Sequence, residues 1–245
     1  MRKTNYPGVY ENEQKYYTKN LMPGTALFGE SLLKLDTIEY RNIDPTRSKL
    51  AAAVKKKIKV TGICEGDTVL YLGASHGYTL SFISDIIGQK GIIFAVDTAY
   101  KVFRSLFHVS NERHNVVPIY ADAAHPVTYA RSICAVDVVY QDVAQKNQVD
   151  IFDANFSLYV KDSGIGVLVV KTRCIDAAAA PQKVADEVKK TLRAKGYTLI
   201  DAKNLDPDER DHAYIVVSRT EQKEEKKPSR TRTARVEVPH KSGQE

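Results

Sequence analysis

The chain has 245 residues, a formal net charge of +6 and a pI of about 9.0. This length suffices for one α/β domain with a small appendage, and the positive charge suits an acidic partner such as RNA. No apolar run approaches the roughly 18 residues of a membrane-spanning helix, and the polar N-terminal stretch has no apolar signal core. We therefore expect a cytoplasmic protein that does not enter the membrane.

Three segments of different composition follow one another. Residues 1–54 are rich in tyrosine and in short β-type runs with turns at 23–24 and 44–45, which predicts a small β-hairpin subdomain. Residues 55–219 alternate strand and helix patterns, as an α/β domain does. Residues 220–245 have almost no apolar content and more lysine and arginine than acid. We predict that this basic tail is disordered unless bound.

The start of the α/β domain carries a nucleoside-binding pattern. An apolar run at 69–72 enters a loop with Gly73 and Gly77, an amphipathic segment follows, and a second apolar run ends in Asp97. A carboxylate there accepts both ribose hydroxyl hydrogens of a bound cofactor. The loop lacks the third glycine of a dinucleotide site, which favours a cofactor without phosphate, S-adenosylmethionine, over NAD. The alternative is that both glycines only shape a tight turn.

Polar side chains follow three further predicted strands. The runs at 116–120, 136–140 and 165–170 lead to Asp122, Asp142 and Lys171 respectively. Ligands of open α/β sheets bind beyond the carboxyl ends of the strands, so these side chains are expected to converge with Asp97. Any one of them alone is better explained as a helix cap or a solvated loop residue, but four in step favour a binding site.

The remaining periodicity completes the predicted architecture. Helical patterns lie at about 80–88, 99–113, 146–158 and 181–195, and apolar runs at 198–202 and 213–217 predict a closing antiparallel hairpin. The fold class is therefore α/β. We expect a Rossmann-like sheet of the S-adenosylmethionine-dependent methyltransferase type, with seven strands, the last antiparallel, and a small N-terminal β subdomain.

Cysteine and histidine spacing indicates no metal site. Cys64, Cys134 and Cys174 show neither a CxxC nor a ligand spacing, and no histidine is suitably spaced from acids or cysteines. Cys134 and Cys174 lie in apolar sequence and are predicted to be small core residues of a protein from a reducing compartment.

Five stretches together resemble the fibrillarin family in its compact archaeal form. They occur in family order between about residues 20 and 219, at 45–53, 69–74, 142–145, 171 with 174–176, and 209–213. The resemblance implies a guide-directed RNA 2′-O-methyltransferase that uses S-adenosylmethionine. The chain departs from the family at His76 and Tyr78, which replace smaller residues, at Asp97, one methylene shorter than the usual glutamate, and at Gln141.

The resemblance also implies the catalytic residues. It places a Lys-Asp-Lys-His constellation at Lys49, Asp142, Lys171 and His212. A ribose 2′-hydroxyl is a weak nucleophile that needs a carboxylate to take its proton and ammonium groups to favour the developing alkoxide. The structural alternatives are a solvated helix face for Lys49, a helix N-cap for Asp142 and a charged loop for His212.

The predicted cofactor contacts cover the loop and the strand ends. Asp97 would hold the ribose hydroxyls, Asp122 with Ala123 would meet the adenine, and residues 142–145 would border the methionine moiety. The full predicted set is Gly73, Tyr78, Thr79, Asp97, Thr98, Asp122, Ala123, Asp142, Val143, Ala144 and Gln145.

RNA recognition is expected to be mostly electrostatic. Candidate phosphate contacts are Arg104, Arg113 and the cluster Lys55, Lys56, Lys57 and Lys59, although a solvated helix face explains them equally well. Nothing in the sequence resembles an RNA-recognition, KH or zinc-knuckle motif. The resemblance implies that a box C/D guide RNA pairs with target ribosomal or transfer RNA. It also implies a Nop-domain scaffold protein and a kink-turn-binding protein as partners.

Two other functions stay open at the level of sequence. One is a non-catalytic protein that keeps the fold and binds S-adenosylmethionine or RNA as a scaffold. The altered loop around His76 and Tyr78 supports it, whereas retention of all four residues of the Lys-Asp-Lys-His constellation argues against it. The other is methylation of a protein glutamine rather than of RNA.

Overall fold

The computed structural model describes residues 1–219, and every element below lies within them. The predicted disorder of 220–245 falls outside the described residues. The N-terminal segment forms an antiparallel sheet in the order β1-β2-β3-β5-β4. Its strands are β1 (Arg2–Lys3), β2 (Val9–Asn12), β3 (Lys15–Lys19), β4 (Leu32–Leu35) and β5 (Ile38–Ile43).

A seven-stranded sheet follows, in the order β11-β12-β10-β9-β6-β7-β8. Strands β10, β9, β6, β7 and β8 are parallel to one another, and β12 runs antiparallel to β10 and β11 on either side. The bounds are β6 (Thr68–Leu72), β7 (Ile92–Asp97), β8 (Val116–Tyr120), β9 (Val136–Gln141), β10 (Val160–Lys171), β11 (Tyr197–Asn204) and β12 (His212–Arg219). The predicted fold class, with its reversed last strand, is confirmed.

The four predicted helices end within two residues of their expected positions. They are α2 (Tyr78–Ile87), α3 (Tyr100–Glu112), α4 (Gln148–Tyr159) and α6 (Pro181–Ala194). Helix α6 begins with proline at its first position and ends before Gly196, whose φ of +86° suits glycine. The other helices are α1 (Lys49–Lys55), the single turn α5 (Thr172–Ile175) and a 3₁₀ helix (Pro126–Ser132). The division of the chain at residue 54 stays a prediction, and α1 runs across it.

The large sheet separates two apolar cores. Successive side chains of a strand point to opposite faces, so Val69 and Tyr71 pack in one core and Leu70 and Leu72 in the other. The first core includes residues of α1, α2 and α3 and contacts the N-terminal sheet, and the second includes residues of α4 and α6. Because both faces are covered, the parallel strands are continuously apolar.

A buried ion network joins the N-terminal sheet to the α/β domain. We call Glu30, Arg41, Asp85 and Arg113 the ionic lock. Arg41 on β5 pairs with Glu30 at 2.5 Å and with Asp85 of α2 at 2.8 Å, and Arg113 pairs with the same Asp85 at 2.6 Å. Both guanidinium groups are fully buried. Burial lowers the pKa of Arg113, and the Asp85 carboxylate opposes that shift.

Two predictions about individual residues are wrong. Arg113 is not a phosphate contact, because its side chain is fully buried and paired with Asp85. Cys134 and Cys174 are exposed rather than core residues, since they lie in loop and single-turn segments outside the packed strands. Within residues 1–219, no helix is long and apolar enough to cross a membrane.

Candidate active site

The carboxyl ends of neighbouring strands bring the predicted site residues to one edge of the sheet. Gly73 follows β6, Asp97 ends β7, Asp142 follows β9 and Lys171 ends β10. Since β10, β9, β6 and β7 are adjacent in the sheet, these residues form a row along its carboxyl edge. The order of the strands alone therefore places these four residues in one row.

A cluster of alternating charges occupies the middle of this edge. Lys171 Nζ lies 3.0 Å from Asp142 Oδ1, Lys49 Nζ lies 3.7 Å from Asp142 Oδ2, and Lys49 Nζ lies 3.6 Å from Glu209 Oε1. We call Lys49, Asp142, Lys171, Glu209 and His212 the acid–lysine cluster. The Asp142 carboxylate is 11% exposed and lies between two ammonium groups that retain about a fifth of their exposure.

Lys49 reaches the cluster because it is the first residue of α1. Ser48 caps this helix by accepting a hydrogen bond from the Ala51 backbone N–H, and it also receives one from the Thr79 hydroxyl. The five residues after Lys49 are buried. The structural alternative for Lys49, a solvated helix face, therefore does not describe α1.

A pair of buried glutamines fixes the end of β10. The Gln148 side chain accepts a hydrogen bond from the Lys171 backbone N–H at 3.0 Å and donates one to the Lys171 carbonyl at 3.1 Å. Gln141 Nε2 in turn donates to the Gln148 carbonyl at 2.7 Å. The Lys171 ammonium also donates to the Asp142 backbone carbonyl at 3.0 Å. Gln141, a departure from the family pattern, thus supports the residue that holds Lys171.

The loop between β11 and β12 supplies Glu209, and His212 is the first residue of β12. His212 pairs with Lys171 across the antiparallel β10–β12 ladder, and its Nδ1 lies 2.6 Å from the Arg210 carbonyl. Its Nε2 is buried and has no hydrogen-bond partner within the described residues. Burial raises the pKa of Glu209, and the Lys49 ammonium opposes this shift. The cluster therefore contains a second carboxyl group with altered proton affinity and an imidazole nitrogen that is free to bond.

Buried tyrosines lie beneath the cluster. The rings of Tyr71 and Tyr140 stack with centroids 4.7 Å apart, and Tyr140 meets Tyr214 edge to face at 6.0 Å. Burial raises the pKa of all three hydroxyls well above the usual range for tyrosine, and the Asp142 charge adds to the effect on Tyr71 and Tyr140. The three packed, uncharged rings therefore form the buried surroundings of Asp142.

Glycine is required where the cofactor loop approaches β9. Gly73 has a φ of +78°, and a Cβ there would lie 2.6 Å from the Asp142 backbone oxygen. Gly77 also has positive φ and precedes the first residue of α2. Gly73 thus lets the loop approach the backbone at the end of β9. This close approach goes beyond the alternative role, in which the glycines only shape a tight turn.

Two acids that were predicted to bind the cofactor accept hydrogen bonds from the loops at the edge of the site. Asp97 accepts hydrogen bonds from the backbone N–H groups of Ser75 and Ala99, one on each carboxylate oxygen. Asp122 accepts from the Ala124 N–H and, at 3.3 Å, from the Gln145 amide. The Ala124 N–H in particular lowers the pKa of Asp122. Asp122 and Gln145, both predicted contacts, thus lie together.

Other members of the predicted cofactor set differ in their packing and exposure. The Tyr78 ring packs edge to face on Phe28 and Phe82, and the Arg47 guanidinium lies 4.1 Å from its centroid. The Thr79 hydroxyl bonds to Ser48. Of the remaining predicted contacts, Thr98 and Ala144 are exposed, and Ala123 and Val143 are buried.

Sequence reasoning missed two residues of the site. Glu209 lies inside one of the family-like stretches, and its position three residues before His212 was the available signal. Gln148 carried no signal, because its role depends on β10 returning beside α4. Within residues 1–219, no group of three or more histidine, cysteine or acidic side chains could hold a metal ion.

The fold and the site define a class before any comparison. A seven-stranded sheet with one reversed strand, a glycine turn after β6 and an acid ending β7 is the arrangement of Rossmann-like S-adenosylmethionine-dependent methyltransferases. The acid–lysine cluster lies on the ligand-binding edge of this sheet.

Comparison with known proteins identifies the family. The model of the fibrillarin family matches residues 1–221. The fibrillarin-like rRNA/tRNA 2′-O-methyltransferase of Thermococcus onnurineus is 41% identical over 222 residues, covering 89% of this chain and 98% of that protein. The chain belongs to the fibrillarin family.

Solved structures agree with this membership. Crystalline Aeropyrum pernix fibrillarin with natively bound S-adenosyl-L-methionine is 39% identical with a TM-score of 0.81, covering 88% of this chain and 96% of that one. A chain in a fibrillarin/Nop5p complex is 35% identical with a TM-score of 0.82, covering 89% and 100% respectively.

Proposed function

We propose that this protein methylates ribose 2′-hydroxyls of ribosomal and transfer RNA with S-adenosylmethionine, directed by a box C/D guide RNA. One observation carries the proposal: the Asp142 carboxylate lies between the ammonium groups of Lys171 and Lys49, at 3.0 and 3.7 Å, on the ligand edge of the sheet. The relatives named as rRNA/tRNA 2′-O-methyltransferases, about 40% identical, support the substrate class.

The residues at the edge suit S-adenosylmethionine. A Cβ on residue 73 would collide with the Asp142 backbone, so glycine at this position allows the loop to pack closely against the end of β9. Asp97 is held in place by two backbone N–H groups, and each of its oxygens keeps a further lone pair for a ribose hydroxyl. Asp122 is oriented by Ala124 and can accept from an exocyclic amine. The bound S-adenosylmethionine of the Aeropyrum pernix relative supports this cofactor.

The protein's own groups handle the hydroxyl and its proton. The cofactor supplies a methyl group bound to positively charged sulfur. Asp142 takes the proton of the 2′-hydroxyl as oxygen becomes nucleophilic. Lys49 and Lys171 place positive charge where the alkoxide develops. Because water is partly excluded from the cluster, the attraction between these charges and the alkoxide is stronger than in bulk water. His212 Nε2 and Glu209 are placed to receive hydrogen bonds or protons from the RNA side of the cluster.

Target choice would come from partners. The described residues show no dedicated base-reading module, and the family model covers all of them. The fibrillarin/Nop5p complex supports a Nop-domain scaffold protein as a partner. A box C/D guide RNA and a kink-turn-binding protein complete the assembly that we propose.

Calorimetric titration tests the cofactor site. S-adenosylmethionine should bind the purified chain, and Asp97→Ala should weaken binding because the ribose acceptor is lost. Asp36→Ala, in the exposed turn between β4 and β5, is the matched control and should bind as the wild type does. If Asp97→Ala binds as tightly as the wild type, the assigned ribose site is wrong.

Reconstitution tests the reaction. The chain, a Nop-domain partner, a kink-turn-binding protein and a guide RNA should together transfer a labelled methyl group to the RNA position that the guide specifies. Changing the guide should move the position. Label on a protein glutamine instead, or cofactor binding without transfer to RNA, would favour the two alternative functions.

A further inference from the structure

Helix α3 exposes a stripe of aromatic side chains. Tyr100, Phe103 and Phe107 recur at helical spacing along one face, and Tyr100 and Phe107 are 67% and 54% exposed. Tyr120, at the end of the edge strand β8, is 57% exposed and meets Phe103 edge to face at 5.2 Å. We call these four residues the aromatic platform.

Of the aromatic platform, Phe103 packs against the first core, whereas Tyr100, Phe107 and Tyr120 are exposed. The opposite face of α3 carries Leu106 and Val109, which are buried in the first core and hold the helix on the sheet. No described residue covers Tyr100 or Phe107. Clustered exposed aromatics of this kind mark a binding surface rather than a packing requirement.

The charges around the platform select an anionic partner. Lys101, Arg104 and His108 are exposed on α3 and directly follow Tyr100, Phe103 and Phe107 in the sequence. The acids Asp97 and Asp122, close in sequence to Tyr100 and Tyr120, are held by backbone N–H groups at the ligand edge, and Glu112 lies in the last turn of α3. Aromatic rings interleaved with cations stack bases and contact phosphates of single-stranded nucleic acid.

The platform is continuous with the ligand edge of the sheet. Tyr100 lies three residues after Asp97, and the Ala99 N–H between them donates to the Asp97 carboxylate. Tyr120 precedes the segment that carries Asp122. A strand of RNA that leaves the acid–lysine cluster along the edge past β7 therefore reaches the platform.

We propose that the aromatic platform binds a single-stranded segment of RNA, with bases stacked on Tyr100, Phe107 and Tyr120 and phosphates contacted by Lys101 and Arg104. The inference rests on the proposed function, because it takes RNA as the substrate class. It adds a recognition surface outside the catalytic and cofactor residues, one that favours an unpaired RNA segment over a duplex since stacking needs free base faces.

Fluorescence anisotropy tests this surface directly. The probe is an unstructured, 5′-labelled RNA about ten nucleotides long, titrated with the full chain at low salt. Tyr100→Ala and Phe107→Ala should each weaken binding about tenfold, whereas Tyr100→Phe and Phe107→Tyr should keep it, because a ring remains. Leu158→Ala removes a comparably exposed apolar side chain from α4 and should bind as the wild type does.

Salt dependence tests the phosphate contacts. Arg104→Gln should reduce the slope of log K against log salt by about 0.7, the value for one phosphate contact on a single strand. A duplex of the same sequence should respond little to the two alanine substitutions.

The outcomes separate the two proposals. Unchanged RNA affinity in Tyr100→Ala and Phe107→Ala, with loss of Nop-protein binding instead, would overturn the platform as an RNA site and make it a protein-docking surface. Wild-type chain that does not bind the RNA probe would overturn it as well. Ring-dependent RNA binding without guided methyl transfer would support the platform and contradict the proposed function.

Discussion

The ionic lock and the acid–lysine cluster are both networks of alternating charge, but they differ in burial and in the separation of their charges. In the lock, Arg41 and Arg113 are fully buried, and both of them pair with Asp85. In the cluster, Asp142 and the two lysines keep partial exposure and longer separations, up to 3.7 Å.

This difference indicates that the charges of the ionic lock stabilise the fold, whereas those of the acid–lysine cluster take part in the reaction. A buried pair is strongly destabilised when one partner is removed, because the other charge is left without solvent or counter-charge. A partly open cluster can admit a substrate hydroxyl and release its proton. We therefore expect substitutions in the lock to change stability and substitutions in the cluster to change activity.

The largest expected effect is on activity at Asp142. Asp142→Asn keeps the shape of the side chain but removes the proton acceptor, and methyl transfer in the reconstituted complex should fall about 10²- to 10⁴-fold. Chemical denaturation should show a much smaller change, since the side chain is partly exposed. Retention of methyl transfer within threefold of wild type would remove Asp142 from the mechanism.

The ionic lock should show the opposite pattern. Asp85→Ala leaves the buried Arg113 guanidinium without a carboxylate partner and Arg41 with Glu30 alone, and it should lower the free energy of unfolding by about 3–5 kcal/mol in urea titrations. Asp186→Ala, which breaks the exposed pair with Lys189, is the matched control and should change it by less than about 1 kcal/mol. Equal effects of the two substitutions would show that burial does not distinguish these pairs.

A smaller effect is expected at Gln148, a buried residue that supports the catalytic Lys171. Gln148→Leu removes both hydrogen bonds to the Lys171 backbone, so the ammonium is less well placed. We expect methyl transfer to fall about ten- to a hundredfold with cofactor affinity unchanged. Gln182→Leu, an exposed amide on α6, is the control. A change in S-adenosylmethionine affinity in place of the rate would contradict the positioning role.

The smallest effect concerns the pH dependence of stability at Glu209. Its folded-state pKa lies above the unfolded value of about 4.3, so the folded protein binds more protons and this group's contribution to stability falls as pH rises through that interval. Glu209→Gln lacks this contribution. The unfolding free energy of the variant minus that of the wild type should therefore increase with pH, starting near pH 4.

Urea titrations across the acidic range measure this difference, and Glu65→Gln in an exposed turn serves as the comparison. A difference that decreases with pH would mean that the Lys49 ammonium, rather than burial, dominates the proton affinity of Glu209.

Local patterns predicted what depends on one element at a time. Apolar runs located strands such as β6 and β9, and helical spacing located α2 and α6, because neighbouring residues determine both. Strand ends then placed Asp142 and Lys171 on one edge.

Features that depend on several elements escaped prediction. Arg113 resembles a phosphate contact until Asp85 of α2 is packed against it. Gln148 gains its role only where α4 lies beside the end of β10, and the Tyr78 ring of α2 meets Phe28 only where the segment between β3 and β4 packs against it. Such contacts require the tertiary arrangement, which spacing along the chain does not encode.

The most direct test of the account compares two target RNAs in the reconstituted complex. They differ only in one atom, the 2′-oxygen of the nucleotide that the guide selects. The account predicts labelled methyl on the ribo target, none above background on the 2′-deoxy target, and loss of the former in Asp142→Asn. Equal labelling of both targets would place the methyl group elsewhere and contradict the assignment of Asp142 as the acceptor of the 2′-hydroxyl proton.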